Sequence, residues 1–476
     1  MRRTLLLFAV IGLVLAACQG TAEDGGRTRA PSASPASPSS TDSPMPQTVA
    51  FQLGNDRATR PIELETLDEL TGNGIGDLFP LDRHPRWGCP PPRRDWSWTH
   101  VKRLGLSWVR ISLDRMDWEQ ARDQNDYSRF HVNACQDEMV SLFARKGITM
   151  VYTIVYWDEE LNAERPPDLS DQRELQLYLD YARFLLDHLK DRIRSWEILN
   201  EAIWYVDLPD YLELIRRVVP IIRAEDPDAR IIAGGASDLR HEINRDYLFG
   251  LLSSDVVSLL DGIVWHPMYG PSPEREDTRQ YYEEYPELVR EIEEVAEAHG
   301  FTGEYLAEEM GWRTTTEPSP YEPWGYTPLE KAKYTARAIV MHRGMGIWAG
   351  VGVNATILPF VEVVRNLGIV LDGAQPGTLD VQIQTDAADL MSYAFVLPNG
   401  DRMLALWTNG VAVDEDPGVP ATLTFEGSQA TGAIGIDVLE GFQQQLVTVR
   451  SGSDLVIDDL LVKDYPFFLR LGGPGP

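Results

Sequence analysis

Between about residue 95 and residue 360 the chain alternates short apolar runs with longer stretches that carry an apolar stripe at helical spacing. The short runs Leu106–Ser112, Ile148–Val155, Ser195–Leu199, Ala229–Gly235, Gly262–His266, Glu304–Glu309 and Val351–Ala355 each read as a buried strand. The stretches near 95–104, 131–146, 171–192, 209–225, 281–299 and 328–343 read as helices. Over 171–192, Leu175, Leu179, Ala182, Leu185, Leu186 and Leu189 fall on one face, as in a helix that packs by one side. Strands separated by single helices pair in parallel, and about eight such units close on themselves. The expected fold is therefore α/β, a (β/α)8 TIM barrel. Gly72–Asp77 is either a turn or the first barrel strand. It lacks the spacing of a dinucleotide-binding loop, so nothing supports an open doubly wound sheet.

Beyond about residue 370 the helical spacing stops. Leu390–Leu397 and Arg402–Trp407 flank Pro398-Asn399-Gly400-Asp401 and read as a hairpin, and further short runs follow at 421–425, 445–450 and 467–471. Residues 371–476 are expected to form an all-β sandwich appended to a barrel spanning 50–370. Residues 18–49 are rich in Ser, Pro, Thr and Ala, bury too little apolar surface to offset their ordering entropy, and read as a tether. Arg2-Arg3 precede an apolar run of thirteen residues, Leu5–Ala17, which has the length of a signal-peptide core and is too short to span a bilayer. The run closes on Leu15-Ala16-Ala17-Cys18, which resembles a bacterial lipobox. That resemblance implies a signal peptide over 1–17, a lipid on Cys18, and a secreted, membrane-anchored protein at the cell envelope or cell surface.

Charge narrows the class of partner. The 476 residues hold 43 basic and 73 acidic side chains, a formal net charge of −30, which argues against nucleic acid or an anionic bilayer as ligand. Contact with the membrane is expected only through the lipid on Cys18. Of the three cysteines, Cys89 and Cys135 remain as an even pair in an oxidising compartment, and a disulfide between them is expected. No Cys-x-x-Cys occurs, and no metal or organic cofactor is expected.

Polar and aromatic residues recur where the predicted barrel strands end. Arg110 lies on the second strand, Trp157 just beyond the third, and Asn200 and Glu201 at the tip of the fourth. His266 and Tyr269 mark the sixth, and Glu308, Glu309 and Trp312 the seventh. Each has a plain structural reading: Asn200-Glu201 as a helix cap, Arg110 in a barrel salt bridge, His266 as a satisfied core histidine, the tryptophans as packing. Their conjunction at the carboxyl ends of parallel strands, where barrel chemistry sits, favours a site. Glycosidic cleavage needs two carboxylates facing each other, one donating a proton to the leaving oxygen, the other attacking the anomeric carbon or activating water. Tryptophans supply apolar faces for sugar rings.

Trp196-Glu197-Ile198-Leu199-Asn200-Glu201 resembles the fourth-strand motif of the clan A glycoside hydrolases, and Leu306-Ala307-Glu308-Glu309-Met310-Gly311-Trp312 resembles their seventh-strand motif. The stretch Trp108-Val109-Arg110-Ile111 looks like the clan's second-strand arginine motif, and Trp265-His266-Pro267-Met268-Tyr269 like its sixth-strand motif with one residue inserted. The likeness covers roughly residues 70–360 and is nearest to family 39 or family 5. It implies a retaining glycoside hydrolase that cleaves O-glycosidic bonds of oligo- or polysaccharides by double displacement. Glu201 would be the acid/base and Glu309 the nucleophile. Asn200, Arg110, His266, Tyr269, Trp157 and Trp312 would contact the carbohydrate. Strand alternation should turn one of Glu308 and Glu309 out of the barrel, and Glu309 is expected to face inward. The rival reading is a catalytically silent carbohydrate-binding lipoprotein. Convergence of the two carboxylates separates the readings, whereas a transglycosylase would share the same residues.

Overall fold

The computed structural model describes residues 51–62 apart from 56, 101–112 apart from 102, 122–155 apart from 124, 125, 131 and 133, 168–267, 276–312, 325–351 and 358–472. Cys18, Cys89, Trp157, Tyr269, the tether and Gly72–Asp77 lie outside these residues, and with them the lipid, disulfide and first-strand expectations.

The first described strand, β1 (Thr59–Pro61), belongs to the sandwich. β2 (Trp108–Ser112) is followed by a small antiparallel pair, β3 (Arg122–Asp123) and β4 (Asp126–Phe130), and by α1 (Ala134–Arg145). Strand and helix then alternate: β5 (Thr149–Ile154), α2 (Gln172–Leu189), β6 (Ser195–Ile198), α3 (Leu208–Glu225), β7 (Arg230–Ala236), α4 (Glu242–Leu252), β8 (Gly262–Trp265), α5 (Glu276–Ala298), β9 (Glu304–Met310), α6 (Pro328–Gly344), β10 (Trp348–Val351) and α7 (Phe360–Val370). The strands β2, β5, β6, β7, β8, β9 and β10 make one sheet in that order, parallel throughout. This is the architecture of a (β/α)8 barrel, with seven of its strands among the described residues. The helices are built as their sequences dictate. α2 buries Leu175, Leu179, Ala182, Leu185, Leu186 and Leu189, and Asp171 caps it by accepting from the N–H groups of Arg173 and Glu174. Each such leucine contributes about 1.5–3 kcal/mol by leaving water. β10 starts three residues before the last barrel strand read from sequence, because Gly346, at φ 84°, ends the turn out of α6 and frees Trp348-Ala349 to pair with Leu306-Ala307.

Period two sorts the strand residues into layers. Trp108, Val151, Ile232, Val264 and Leu306, with Trp348 against them, form a small apolar cluster of their own. Two positions further along the same strands stand Arg110, Thr153, Gly234, His266, Glu308 and Gly350, joined by Glu197 from β6. An apolar plug thus sits directly beneath a polar layer at the carboxyl ends of the strands.

The remaining strands are β11 (Gln375–Gly377), β12 (Val381–Thr385), β13 (Leu390–Val396), β14 (Arg402–Thr408), β15 (Val419–Phe425), β16 (Gly432–Asp437), β17 (Phe442–Gln445), β18 (Val449–Ser451), β19 (Asp454–Val462) and β20 (Phe467–Gly472). They form an antiparallel sheet of order β12-β15-β19-β18 and a larger one of order β1-β17-β16-β20-β14-β13-β11. Phe51, Leu404, Leu423, Phe425, Leu460 and Phe467 fill the space between the two. The segment from Phe51 to Pro61, which the sequence assigned to the barrel, is part of this sandwich. Thr59–Pro61 pair with Phe442–Gln444, and the Leu53 N–H donates to Asp459 O at 3.0 Å. Its alternation fits a β-edge, whereas a barrel strand would need a helix after it.

The other face of the larger sheet is covered by the barrel. Phe395, Met403, Ala405, Trp407 and Phe468 share one core with the barrel helices. α6 supplies most of the junction. A Cβ on its Gly344 would lie 2.3 Å from the Tyr393 ring, so the helix approaches β13 as closely as backbone allows. Lys333 Nζ meets Asp464 Oδ1 at 2.7 Å with both side chains buried, and Arg337 Nε donates to Asp464 O at 2.7 Å.

Candidate active site

Arg110 is the hub of the polar layer. It is 2% exposed, and its guanidinium grips Glu197 through two hydrogen bonds, Nε to Oε2 at 2.5 Å and Nη2 to Oε1 at 2.7 Å. Nη1 donates to Glu309 Oε1 at 2.5 Å, Nη2 to Asn200 Oδ1 at 2.8 Å, and Glu308 Oε2 lies 2.9 Å from Nε. Thr153 Oγ1 adds a 2.5 Å hydrogen bond to Glu197 Oε2. The rigid fork of an arginine suits such shared, bidentate pairing where a lysine would not. The side-chain oxygen of Asn200 is thereby committed to Arg110.

Three backbone positions near the strand ends take left-handed conformations: Leu199 at φ 61°, Glu201 at φ 42° and Glu309 at φ 54°. Non-glycine residues are uncommon there, and such strain clusters at functional sites. At β9 the cause is visible in the register. Ala307 pairs with Ala349 and Met310 with Val351, so Glu308 and Glu309 together oppose the single residue Gly350. This bulge defeats the alternation expected from sequence. Both glutamates reach Arg110, and neither is turned out of the barrel.

Glu201 lies across from Glu309, with His266 between them. Glu201 Oε1 accepts from Ser237 Oγ at 2.6 Å and lies 2.8 Å from His266 Nδ1. The other ring nitrogen, Nε2, is 3.5 Å from Glu309 Oε1. One carboxylate oxygen of each glutamate and one His266 nitrogen lie within 4.8 Å of one another. These are the described residues that could offer three ligand atoms to a metal, and Glu201 and His266 already share the 2.8 Å hydrogen bond just given.

Burial opposes a charge on His266, yet Glu309 and Glu201 beside it raise its pKa to about 9. Burial by itself would raise Glu201, but the His266 and Ser237 hydrogen bonds and the charges of His266 and Arg110 outweigh it and hold the carboxyl below its ordinary value. At neutral pH the pair therefore keeps one proton, on the imidazole side of a 2.8 Å hydrogen bond.

Five of the expected residues, Arg110, Asn200, Glu201, His266 and Glu309, come together in this way. Trp157 and Tyr269 lie outside the described residues. Trp312, expected among the carbohydrate contacts, is 2% exposed and stacks on Tyr334 of α6 with ring centres 5.8 Å apart. Sequence reading passed over Glu197, Ser237 and the inward turn of Glu308. Glu197 carried a usable signal, since a lone carboxylate inside a buried strand needs a buried cation, and Arg110 is the matching lone cation.

No protein-family model matches the chain. A stretch of 110 residues is 24% identical to β-glucosidase A of Thermotoga maritima, and it spans 23% of this chain and only 22% of that relative. Solved structures match far more of the chain. A family 39 glycoside hydrolase from the gut symbiont Bacteroides cellulosilyticus WH2 superposes with a TM-score of 0.59 at 17% identity, over 85% of this chain and 82% of that one. The family 51 arabinofuranosidase of Xanthomonas axonopodis pv. citri gives 0.55 at 11% identity, over 84% and 93%. The catalytic domain of the family 30 xylanase C of Talaromyces cellulolyticus gives 0.54 at 10% identity, over 87% and 98%. The chain has the fold of the clan A glycoside hydrolases. These matches span barrel and sandwich alike, so the appended sheets belong to the shared architecture.

Proposed function

We propose that this protein is a retaining glycoside hydrolase, with Glu309 as nucleophile and Glu201 as acid/base. The observation that carries the reading is the approach of a Glu201 oxygen to within 4.8 Å of a Glu309 oxygen across the strand ends. Retention requires carboxyls about 5–5.5 Å apart, whereas inversion needs about 6.5–9.5 Å to admit a water. Convergence also speaks against a silent binding protein.

The roles follow from the neighbours. Arg110 aims Glu309 through its hydrogen bond, so that the carboxylate oxygen attacks the anomeric carbon as the glycosidic bond breaks. The proton for the leaving oxygen comes from Glu201, supplied through its hydrogen bond to His266 Nδ1 once sugar has displaced water from the mouth. In the second half of the reaction Glu201 takes a proton from water, which attacks the glycosyl ester on Glu309. The Asn200 amide is turned toward the sugar, where a hydrogen bond to the 2-hydroxyl strengthens in the transition state. The lipobox extends the proposal to an enzyme tethered by Cys18 at the cell envelope. Incorporation of labelled fatty acid, lost in Cys18→Ser, tests that part.

The mechanism is tested with aryl glycosides of glucose, xylose, arabinose, mannose and galactose. Wild type should turn over at least one. Glu309→Ala should lose all turnover while keeping its fold by circular dichroism. Azide should rescue Glu201→Ala and yield a glycosyl azide of retained configuration. Full activity in Glu309→Ala, or an azide product of inverted configuration, overturns the assignment.

A further inference from the structure

Glu201 is followed at once by a single 3-10 turn, Ala202–Trp204. The turn is rigidly seated. Ala202 is fully buried, and a Cβ on Gly235 would come within 3.1 Å of its own Cβ. The Trp204 N–H donates to Glu201 O at 3.0 Å, and the Val206 N–H to Ala202 O at 2.8 Å. Tyr205 Oη donates to Asn200 O at 2.6 Å, and Tyr247 Oη to Val206 O at 3.1 Å. On this fixed support the Trp204 side chain is 51% exposed. Among the described residues it is the only aromatic side chain among the exposed large hydrophobics. A tryptophan held half in water on a turn that cannot relax is an apolar face available to a ligand.

Its position says which part of a ligand. The sugar that undergoes substitution must lie against Asn200, Arg110, His266 and Glu309. The group that leaves must depart on the side of the acid that protonates it, past Glu201 and onto the segment directly after it. We infer that Trp204 is the floor of the leaving-group subsite, a specificity-determining residue that stacks on the departing sugar ring or aryl ring. The inference rests on the glycosidase reading above and deepens it. Preferred substrates are glycosides whose leaving group presents a flat apolar face, oligosaccharides or aryl glycosides, rather than simple alkyl glycosides. By reversibility the same floor receives a sugar acceptor in place of water.

The test compares a glycosyl fluoride, whose leaving group has no ring, with the disaccharide and 4-nitrophenyl glycoside of the same sugar. Wild type, Trp204→Ala and Trp204→Phe are assayed on all three. In Trp204→Ala, kcat/KM for the two ring-bearing substrates should fall roughly tenfold more than for the fluoride, and Trp204→Phe should recover most of the difference. The decay of the glycosyl enzyme in water should change by less than about twofold. Equal losses on all three substrates, or no loss, overturn the inference and leave the glycosidase reading standing. A wild type inert toward every fluoride and aryl glycoside overturns both. Should Trp204→Ala not fold, wild type decides. Added disaccharide should speed turnover of the fluoride saturably and give a transfer product, and absence of any transfer product overturns the inference.

Discussion

Two neighbouring glutamates can both face the barrel interior only because Glu309 accepts a left-handed backbone, and it is free to do so because Gly350 stands opposite. A Cβ at position 350 would meet Glu308 Cα at 3.1 Å and Cγ at 3.2 Å. Gly350→Ala should therefore shift the bulge by a few tenths of an ångström and misaim Glu309. We expect kcat to fall about tenfold or more, with an overpacking cost of about 1–3 kcal/mol, as checked by steady-state kinetics and thermal melts. Unchanged kcat would refute this account of the bulge. A second residue-scale expectation concerns His266. Its folded pKa, about 9, lies above its ordinary 6.5, so its proton contributes stability that is complete below about pH 6.5 and lost as pH rises through about 9. Both kcat/KM and the melting temperature of the wild type should decline over that alkaline range. In His266→Gln the alkaline limb of kcat/KM should move to lower pH, since Glu201 must then hold the proton without its partner, and the melting temperature should flatten between pH 6.5 and 9. Asn200, Glu201 and His266 were legible in the sequence because each is a polar side chain at the tip of an apolar run, and Arg110 because it is the lone charge inside one. The inward turn of Glu308 was not, because a bulge breaks period two without leaving a mark on the strand that carries it; its trace is a glycine on the neighbouring strand.

At the scale of elements, α6 does two jobs. It follows β9, and it carries the basic residues that bind the sandwich. Its sequence looked like an ordinary barrel helix with an apolar stripe. Yet Lys331, Lys333, Arg337 and Arg343 are all buried: Lys331 lies over the Phe360 ring of α7, Lys333 and Arg337 donate to Val413 O, Gly410 O and Asp464 O of the sandwich, and Arg343 donates to Ala374 O. That burial could not be read from the helix alone, since it depends on sandwich residues that come well after it in the chain. Lys333→Met should leave the Asp464 carboxylate buried beside an apolar side chain, at a cost of about 3–5 kcal/mol. Adding Asp464→Asn should recover part of that loss. A double-mutant cycle on urea midpoints measures it, and additive losses would show that the pair is not coupled.

Taken whole, the molecule divides differently from its sequence. Composition and spacing separate a barrel from a sandwich near residue 370; β13, β14, β15 and β20 fall where strands were expected, whereas the run at 445–450 is divided between β17 and β18, and β19 was not expected. The core does not respect the boundary: Phe395, Met403, Trp407 and Phe468 pack with the barrel helices in one continuous cluster. Chains ended after Val370 should consequently expose the outer face of α6 and aggregate, with loss of a sharp melting transition. A soluble, cooperative barrel from such a truncation, seen by gel filtration and calorimetry, would contradict this. The chain also threads the two parts in an unobvious order, since Thr59–Pro61 pair with Phe442–Gln444 and the barrel lies in the chain between the first strand of one sheet and the six others. That arrangement sets a timetable for a chain made from its amino end. Each described barrel strand meets its neighbour as soon as the next strand–helix unit is complete, whereas β1 must wait for β17. At about 5–20 residues per second the wait is roughly 20 seconds to more than a minute. During translation the described barrel strands can pair while the first strand of the sandwich still has no edge to join.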